Sequence, residues 1–399
     1  MTEENTSINN QLSVVPPSPS FSSGLLHESP LPTLPFDVIP EILCRLPAKL
    51  LLQLRCVCKS WNSLISEPKF AKKHFRVSTT WNFHCLFYTH CLRKYILTSY
   101  PIDSVFTNLT SKFTQFEYSP NSFNGDYPRS NFYDFIGSCN GILCIADYYK
   151  GLVILWNPSI RKFKELPLFQ KPKVFTHMSF GFGYDSSKDN YKVVVILDYI
   201  MPNSITNENN LANKTEVRVH TLGTNIWRNV QEYPLGGVPV ELLGKFVSGT
   251  INWLFSEELF QACPRFIVSF DLMNESYQKI LPPNFGGVDV CHLSALGVLR
   301  DCLCVTFVDD VWIMKEYGNQ ESWTKLFTVP YKRDHTNSHV RVKKAVYLFD
   351  DGQVLLKFIG DFGKSLILYD PKRGSLKSTN FQEVPEVCVE SLISPCSLC

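Results

Sequence analysis

Two glycine-containing motifs have the spacing of known catalytic or cofactor-binding loops. Residues 137–141 read Gly-Ser-Cys-Asn-Gly, which is the spacing of a nucleophile elbow with cysteine in the central place. An elbow turns from a strand into a helix, but the residues after Gly141 have the period of a strand. Residues 181–183, Gly-Phe-Gly, lack the third glycine and the following helix of a dinucleotide-binding loop. We therefore interpret the first motif as a turn and the second as a close crossing of strands.

Residues able to bind a metal occur together at one place, where His84-Cys85 is followed by His90-Cys91. The two pairs are expected at opposite ends of a hairpin, and paired zinc ligands usually lie closer in sequence. Core or turn positions are the favoured interpretation, and a zinc site remains the alternative.

Other candidate groups are better explained by packing and turns. Cys56 with Cys58, and Cys302 with Cys304, are interpreted as small apolar packing residues. The acidic pairs at 309–310 and 350–351 interrupt apolar strand-like runs, so turns are favoured over acid–base catalysis. The sequence thus predicts no catalytic residue, no cofactor and no metal.

Length and composition limit the class of protein. The chain has 399 residues, of which 44% are apolar and 13% aromatic, so we expect a large globular domain with an accessory module. A net charge of +2 gives no indication of nucleic-acid binding. Neither a secretory leader nor a membrane span is recognisable, so the 14 cysteines are expected to be reduced thiols in the cytosol or nucleus. Residues 1–32, rich in Ser, Asn and Pro, are predicted to be a disordered tail.

Residues 33–76 are predicted to form a small helical docking module. Asp37 can cap a first helix, Pro40 lies in its first turn, and Pro47 ends it. A second apolar run begins at Leu50, and a third helix is predicted before Pro68. So few residues cannot bury all of these apolar side chains internally, which indicates a protein partner.

This module resembles an F-box, the motif that docks on the Skp-family adaptor of Skp-cullin-F-box ubiquitin ligases. Arg45, Arg55 and Lys59 match the motif together with its apolar positions. The resemblance implies that the adaptor-binding residues are Leu34, Pro35, Asp37, Ile39, Ile42, Leu43, Leu46, Pro47, Leu51, Leu54, Val57, Cys58 and Trp61.

From residue 81 to about residue 380 the sequence has the period of strands and a weak repeat of roughly 50 residues, which is typical of β-propeller blades. In each unit an apolar strand ends in a polar turn, and an aromatic or apolar residue opens the next strand. Examples are Trp156 before Phe163 and Val311 before Trp323. Five units are clear, residues 84–118 give a doubtful sixth, and closure with six or seven blades is expected. Residues 381–399 are assigned to a C-terminal tail.

Several segments of this region resemble the F-box-associated interaction domain of the large plant F-box family. They are residues 137–144, 155–159, 181–185 and 190–194. That domain is often described as kelch-like, although a kelch blade carries a Gly-Gly doublet after its second strand. Here the doublets at 236–237 and 286–287 are predicted to lie between units.

The expected fold is therefore mainly β, with a short N-terminal helical F-box followed by a kelch-like β-propeller. The resemblance implies a non-catalytic substrate receptor that binds a Skp-family adaptor and, through it, the cullin and RING subunits. The propeller would bind an unknown protein target. The alternative is a propeller enzyme or a glycan-binding lectin with an appended docking segment. A lectin would need exposed aromatics such as Trp227, Trp253 or Trp323, whose offset in the repeat predicts core positions instead.

Overall fold

The protein consists of a short helical region followed by a ring of antiparallel sheets. The computed structural model describes residues 38–89, 94–102, 114–118, 133–148, 151–169, 177–202, 211–230, 236–257, 265–286, 293–330, 341–360, 363–379, 381 and 384–396. The predicted tail at residues 1–32, and Leu34, Pro35 and Asp37 of the predicted adaptor-binding set, lie outside these residues.

The helical region contains four short helices in its described part, whereas the sequence predicted three. They are α1 Val38–Leu43, α2 Ala48–Leu54, α3 Lys59–Ser66 and α4 Pro68–Val77. Pro68 does not end the helical region but occupies the first position of α4, where a missing N–H costs nothing. Pro47 immediately precedes α2, and Pro40 lies within α1 as predicted.

The strands form six sheets in the described part of the chain, one for each blade. Blade 1 contains β1 Trp81–Thr89, β2 Lys94–Pro101 and β3 Thr114–Tyr118; blade 2 contains β4 Tyr133–Cys139, β5 Ile142–Asp147, β6 Leu152–Asn157 and β7 Lys162–Glu165. Blade 3 contains β8 His177–Asp185, β9 Asn190–Pro202, β10 Leu211–Thr221 and β11 Trp227–Asn229; blade 4 contains β12 Val238–Pro239, β13 Lys245–Val247, β14 Thr250–Ser256, β15 Arg265–Asp271 and β16 Tyr277–Ile280. Blade 5 contains β17 Leu293–Leu299, β18 Cys302–Phe307, β19 Asp310–Met314 and β20 Trp323–Thr328; blade 6 contains β21 Arg341–Leu348, β22 Val354–Gly360, β23 Gly363–Asp370 and β24 Ser375–Ser378.

The sheets are arranged as a propeller because the first strands of neighbouring blades lie side by side around a common axis. The predicted repeat corresponds to the third and fourth strands of each blade. The doubtful unit at 84–118 is a blade, so the ring has six blades. The Gly236-Gly237 doublet lies between blades 3 and 4, as predicted.

The aromatic residue that opens the fourth strand connects neighbouring blades. Trp323 Nε1 donates to the Leu281 carbonyl at 3.1 Å, and Trp227 Nε1 donates to the Pro167 carbonyl at 2.7 Å. Each acceptor follows the fourth strand of the preceding blade. The repeated aromatic is therefore part of the contact between blades and not a ligand-stacking surface, in agreement with the predicted core position.

The two glycine motifs have structural roles. Asn140 and Gly141 have φ values of 51° and 81° and connect β4 to β5 as a tight hairpin, so no elbow helix follows Cys139. Gly181 and Gly183 allow blade 3 to approach blade 4 closely. A Cβ at Gly181 would lie 2.4 Å from Cγ2 of Ile251, which no substitution can accommodate without a shift.

Residues 384–396 are not a tail, which corrects the assignment of 381–399 in its described part. Glu386–Val389 forms a strand, β25, that pairs with β1 and supplies the innermost strand of blade 1. Ring closure explains this position, because the open edge of the first blade is covered by the other end of the chain. The sequence pattern could not reveal a strand whose partner lies about 300 residues away and which has no repeat of its own.

The residues after β25 are held by two of the four segments that gave the family resemblance, 137–144 and 155–159. Asn157 is fully buried, and its Nδ2 donates to the Ser391 carbonyl at 2.9 Å and to the Ile393 carbonyl at 2.7 Å. At the neighbouring hairpin, a Cβ on Gly141 would lie 2.1 Å from Cβ of Ser391. Both motifs therefore fix the C-terminal segment against blade 2.

Replacing Asn157 with Ala should weaken ring closure. Two buried carbonyls would lose their donor, so we expect the free energy of unfolding to fall by about 1–3 kcal/mol. Chemical denaturation measures this loss. Asn274→Ala is the matched control, because Asn274 is exposed and bonds only within its own turn. An equal loss in the two variants would contradict the proposed role of Asn157.

Candidate adaptor-binding surface

The F-box region packs on the propeller through one face. Leu43, Ala48, Leu51 and Phe70 are buried and belong to the same apolar cluster as residues of blades 2 and 3 and the C-terminal segment. The F-box is therefore attached to the propeller by a hydrophobic contact and not only by the chain that leads into β1.

Polar contacts fix the orientation of this attachment. The backbone N–H of Ala48 donates to Oε2 of Glu390 at 3.2 Å. Lys72 on α4 forms an ion pair with Asp189 in the β8–β9 turn, and the Tyr184 hydroxyl donates to the same carboxylate. Hydrogen bonds from Lys72 and Tyr184 lower the pKa of Asp189. The F-box is thus held at two separate points on one end of the ring.

The predicted adaptor-binding residues divide into three groups by exposure. Ile42, Pro47, Val57 and Cys58 are exposed, with 46% for Ile42 and 62% for Val57. The partly buried residues are Ile39, Leu46, Leu54 and Trp61. Leu43 and Leu51 are buried inside the chain and cannot be surface contacts, because their side chains fill the junction with the propeller. The remaining assignments stay predictions.

Two exposed apolar residues were missing from the predicted set. Val38 and Leu50 are each 38% exposed. Leu50 could have been identified from the helical period of α2, since Leu51 points into the junction and its neighbour must face elsewhere. With Ile42 and Val57 they make up the set that we call the exposed apolar F-box residues: Val38, Ile42, Leu50 and Val57.

The paired cysteines of the F-box are not packing residues, which corrects that interpretation. Cys56 and Cys58 are both exposed, because they lie in the turn between α2 and α3. Cys58 Sγ lies 3.1 Å from Oγ of Ser60, and hydrogen bonding to Ser60 lowers the pKa of this thiol. Cys304 is buried as predicted, with Cys302 only partly so.

A serine, a histidine and an aspartate come together in blade 3, a cluster that sequence reasoning missed. Ser179 Oγ lies 3.4 Å from His177 Nδ1, and the same nitrogen lies 3.9 Å from Asp198 Oδ2. A catalytic relay needs the two different ring nitrogens, one for the nucleophile and one for the carboxylate. Ser179 is fully buried and donates to the Glu241 carbonyl at 3.1 Å. The cluster does not have the geometry of a nucleophilic triad.

The other candidate groups have ordinary structural partners. His84 is buried in β1 with Nδ1 2.7 Å from Oγ of Ser99, and burial lowers its pKa to about 3. The second half of the zinc alternative, at 90–91, lies outside the described residues. Asp351 accepts the Gln353 N–H at 2.9 Å within a strand turn, as predicted.

The family-like segments at 181–185 and 190–194 contain a buried ion pair. Lys192 Nζ lies 3.1 Å from Oδ2 of Asp185, and both side chains are almost completely buried. The same amine lies 3.0 Å from Glu275 in blade 4, which also pairs with Arg228. This charged group connects blades 3 and 4, so its residue types reflect structure and not catalysis.

None of the helices in the described residues has both the length and the apolar character needed to cross a membrane.

Four helices with exposed apolar side chains, fixed on one end of a six-bladed ring, define an F-box joined to a propeller. Comparison with protein families agrees: the F-box domain matches residues 31–73, and the F-box associated beta propeller domain matches residues 93–395. The chain therefore belongs to the family of F-box proteins with an F-box-associated β-propeller. Members of this family are in general non-catalytic substrate adaptors, and an F-box domain in general implies binding to a Skp-type adaptor.

Similar proteins come from a plant. The F-box/kelch-repeat protein At3g23880 of Arabidopsis thaliana is 30% identical over 86% of this chain and 88% of its own length. The F-box protein CPR1 of the same species is 27% identical over 91% of this chain and 89% of its own length. Both comparisons extend over the F-box and the propeller together.

Proposed function

We propose that the protein is the substrate-receptor subunit of a Skp-cullin-F-box ubiquitin ligase. The observation that carries the proposal is the exposure of the exposed apolar F-box residues on a module whose buried side chains pack against the propeller. Several exposed apolar side chains within one small module are typical of a surface that binds a partner. The family membership supports a Skp-type adaptor as the partner, and the proposal adds that the cullin and RING subunits bind through that adaptor.

The target-binding surface is proposed to be the end of the propeller opposite the F-box. In each blade the reversals between the first and second strands lie at the F-box end, and examples such as Asn140–Gly141 and Ser248–Gly249 are short. The described parts of the connections at the opposite end include 166–169, 281–286 and 308–309. Binding surfaces of propellers are formed by such connecting segments, because a rigid ring positions them. The target is an unknown protein.

The function requires positioning and no chemistry by this chain. A target bound at one end of the ring is held at a fixed place relative to an adaptor bound at the other. Tethering raises the effective concentration of the target near the charged conjugating enzyme, which replaces a bimolecular encounter by an intramolecular one. The ion pair of Lys72 with Asp189 and the hydrogen bond of Ala48 to Glu390 support this role, since they limit rotation of the F-box on the propeller.

The same proposal places the protein in the cytosol or nucleus. The cysteines described in the structure are free thiols, and several of them, including Cys144 and Cys304, are buried in blade cores. Cysteines that remain free thiols are typical of proteins in a reducing compartment.

The proposal is tested by ubiquitination of a captured target. The full chain carrying Ile42→Asp and Val57→Asp should retain the target on affinity purification but fail to ubiquitinate it with adaptor, cullin, RING subunit and conjugating enzyme. The wild-type chain should do both. Equal ubiquitination by the two chains would refute the receptor role. Turnover of a small molecule by the variant would favour the enzyme alternative, and binding of a glycan would favour the lectin alternative.

A further inference from the structure

The F-box region is much more basic than the rest of the chain. Residues 38–77 contain eight of the chain's 39 lysine and arginine residues but only two of its 37 acidic residues. The eight cations are Arg45, Lys49, Arg55, Lys59, Lys69, Lys72, Lys73 and Arg76. With histidine counted as neutral, this short region carries a net charge of +6, whereas the whole chain carries +2. The excess positive charge therefore belongs to the docking module and not to the protein as a whole.

Most of these cations are not neutralised within the chain. Lys72 forms an ion pair with Asp189 of the propeller, and Lys73 forms one with Glu41. The other six have no carboxylate oxygen within 4.0 Å among the residues that the structure describes. Of these six, Arg55 is partly buried and the remaining five are exposed. Exposed cations without a counter-ion are available to a partner.

Some of the unpaired cations lie beside the exposed apolar F-box residues. Three of them lie within three sequence positions of such a residue, and we call these three the cationic rim: Arg45, Lys49 and Lys59. Their apolar neighbours are Ile42, Leu50 and Val57, in that order. Three residues of chain span at most about 11 Å, which is close to the Debye length of about 8 Å at physiological ionic strength. Each rim cation therefore acts electrostatically on whatever covers its apolar neighbour.

The paired and unpaired cations lie on different parts of the F-box. Lys72 and Lys73, which are both paired, lie on α4, and Lys72 contacts the propeller directly. The cationic rim lies in the part of the chain from the end of α1 to the start of α3. The F-box is thus matched in charge where α4 meets the propeller and unmatched where its apolar side chains are exposed. In protein interfaces, positive surfaces meet negative ones, so the unmatched part indicates a negatively charged partner.

We propose that the exposed apolar F-box residues and the cationic rim together bind an acidic protein surface, on which carboxylates surround an apolar groove of the Skp-family adaptor. This inference rests on the proposed adaptor binding and adds to it the charge of the partner. Specific interfaces have an apolar centre and a polar border, which is the arrangement that the two sets of residues provide. A basic partner surface would be repelled by the cationic rim.

A nucleic acid is the other polyanion that unpaired cations could bind. Sites for nucleic acids combine lysine and arginine with aromatic side chains that stack on bases, or with polar side chains that read base edges. The cationic rim instead lies among the aliphatic side chains of Ile42, Leu50 and Val57, which gain no burial from a phosphate backbone. These neighbours favour a protein surface as the partner.

The cationic rim should act mainly on the rate of association. Exposed ion pairs contribute little to affinity because water and salt screen them, whereas complementary fields steer the encounter of two proteins at low salt. We therefore expect the association rate to fall about tenfold or more between about 50 mM and about 500 mM salt. The dissociation rate should change by less than about threefold, because the apolar contacts determine it.

The test measures both rates by stopped-flow fluorescence, using the full chain and a purified, labelled Skp-family adaptor. Reversing two rim charges with Lys49→Glu and Lys59→Glu should slow association about tenfold at low salt and remove most of its salt dependence. Lys49→Arg with Lys59→Arg retains the charge and should keep the wild-type rate. Lys279→Glu with Lys377→Glu makes the same change in net charge on the outer strands of blades 4 and 6. This matched control should associate within about twofold of the wild type.

The four lysines in these variants are exposed, so each variant should unfold at the same denaturant concentration as the wild type. An association rate that does not fall with salt would overturn the inference while leaving adaptor binding in place. So would equal association rates for the wild type and the chain with Lys49→Glu and Lys59→Glu. Absence of adaptor binding by the wild-type chain would overturn the proposed function itself. Tighter binding of a DNA or RNA duplex than of the adaptor would overturn the choice of a protein partner.

Discussion

The chain carrying Ile42→Asp and Val57→Asp should lose about a thousandfold in affinity for a Skp-family adaptor. Burying each apolar side chain contributes about 1.5–3 kcal/mol, so losing two of them removes about 4 kcal/mol, which is about a thousandfold in the dissociation constant. Each new carboxylate would also have to be desolvated at the interface. Titration of labelled adaptor with the purified chain measures the effect.

The control for this loss is an exposed apolar residue of the propeller. Met273→Asp changes a side chain that is 50% exposed in blade 4 and should leave adaptor affinity unchanged. Because Ile42 and Val57 face solvent, the double variant should unfold at the same denaturant concentration as the wild type. An adaptor affinity within a few fold of the wild-type value would show that the exposed apolar F-box residues do not form the docking surface.

Replacing Lys192 with Met should lower the free energy of unfolding by about 3–5 kcal/mol, because the change leaves the buried Asp185 carboxylate without its cation. In the wild type, burial alone would raise the pKa of Asp185, but hydrogen bonds from Ser187 and Lys192 outweigh burial and lower it. A lowered folded pKa means that this carboxylate contributes stability above about pH 4, and that the contribution declines as the pH falls through the folded value. Denaturation at neutral pH measures the loss.

Two further variants separate the ion pair from general packing effects. Lys188→Met lies in the exposed β8–β9 turn and should change stability by less than about 0.5 kcal/mol. Adding Asp185→Asn to Lys192→Met should recover part of the loss, because the uncompensated charge is then removed. A single variant Lys192→Met as stable as the wild type would mean that the pair contributes nothing to the contact between blades 3 and 4.

The sequence alone was sufficient for features that depend on local patterns. The F-box follows from helical spacing around residues 39–46 and from its prolines. The blades follow from strand period and from aromatic residues at a fixed offset, because Trp227 and Trp323 make the same kind of contact with the preceding blade. Turn residues such as Asn140-Gly141 were recognisable for the same reason, since a left-handed backbone conformation restricts the residue type locally.

Only the tertiary structure decided which apolar residues of the F-box are exposed and which segments close the ring. Leu43 and Ile42 are adjacent and equally apolar, yet one is buried at the junction and the other is exposed. Strand β25 and the hydrogen bonds of Asn157 to Ser391 and Ile393 join segments that are more than 200 residues apart in sequence. These contacts have no period and no local motif, because ring closure brings distant segments together through the geometry of all six blades and not through the residues between them.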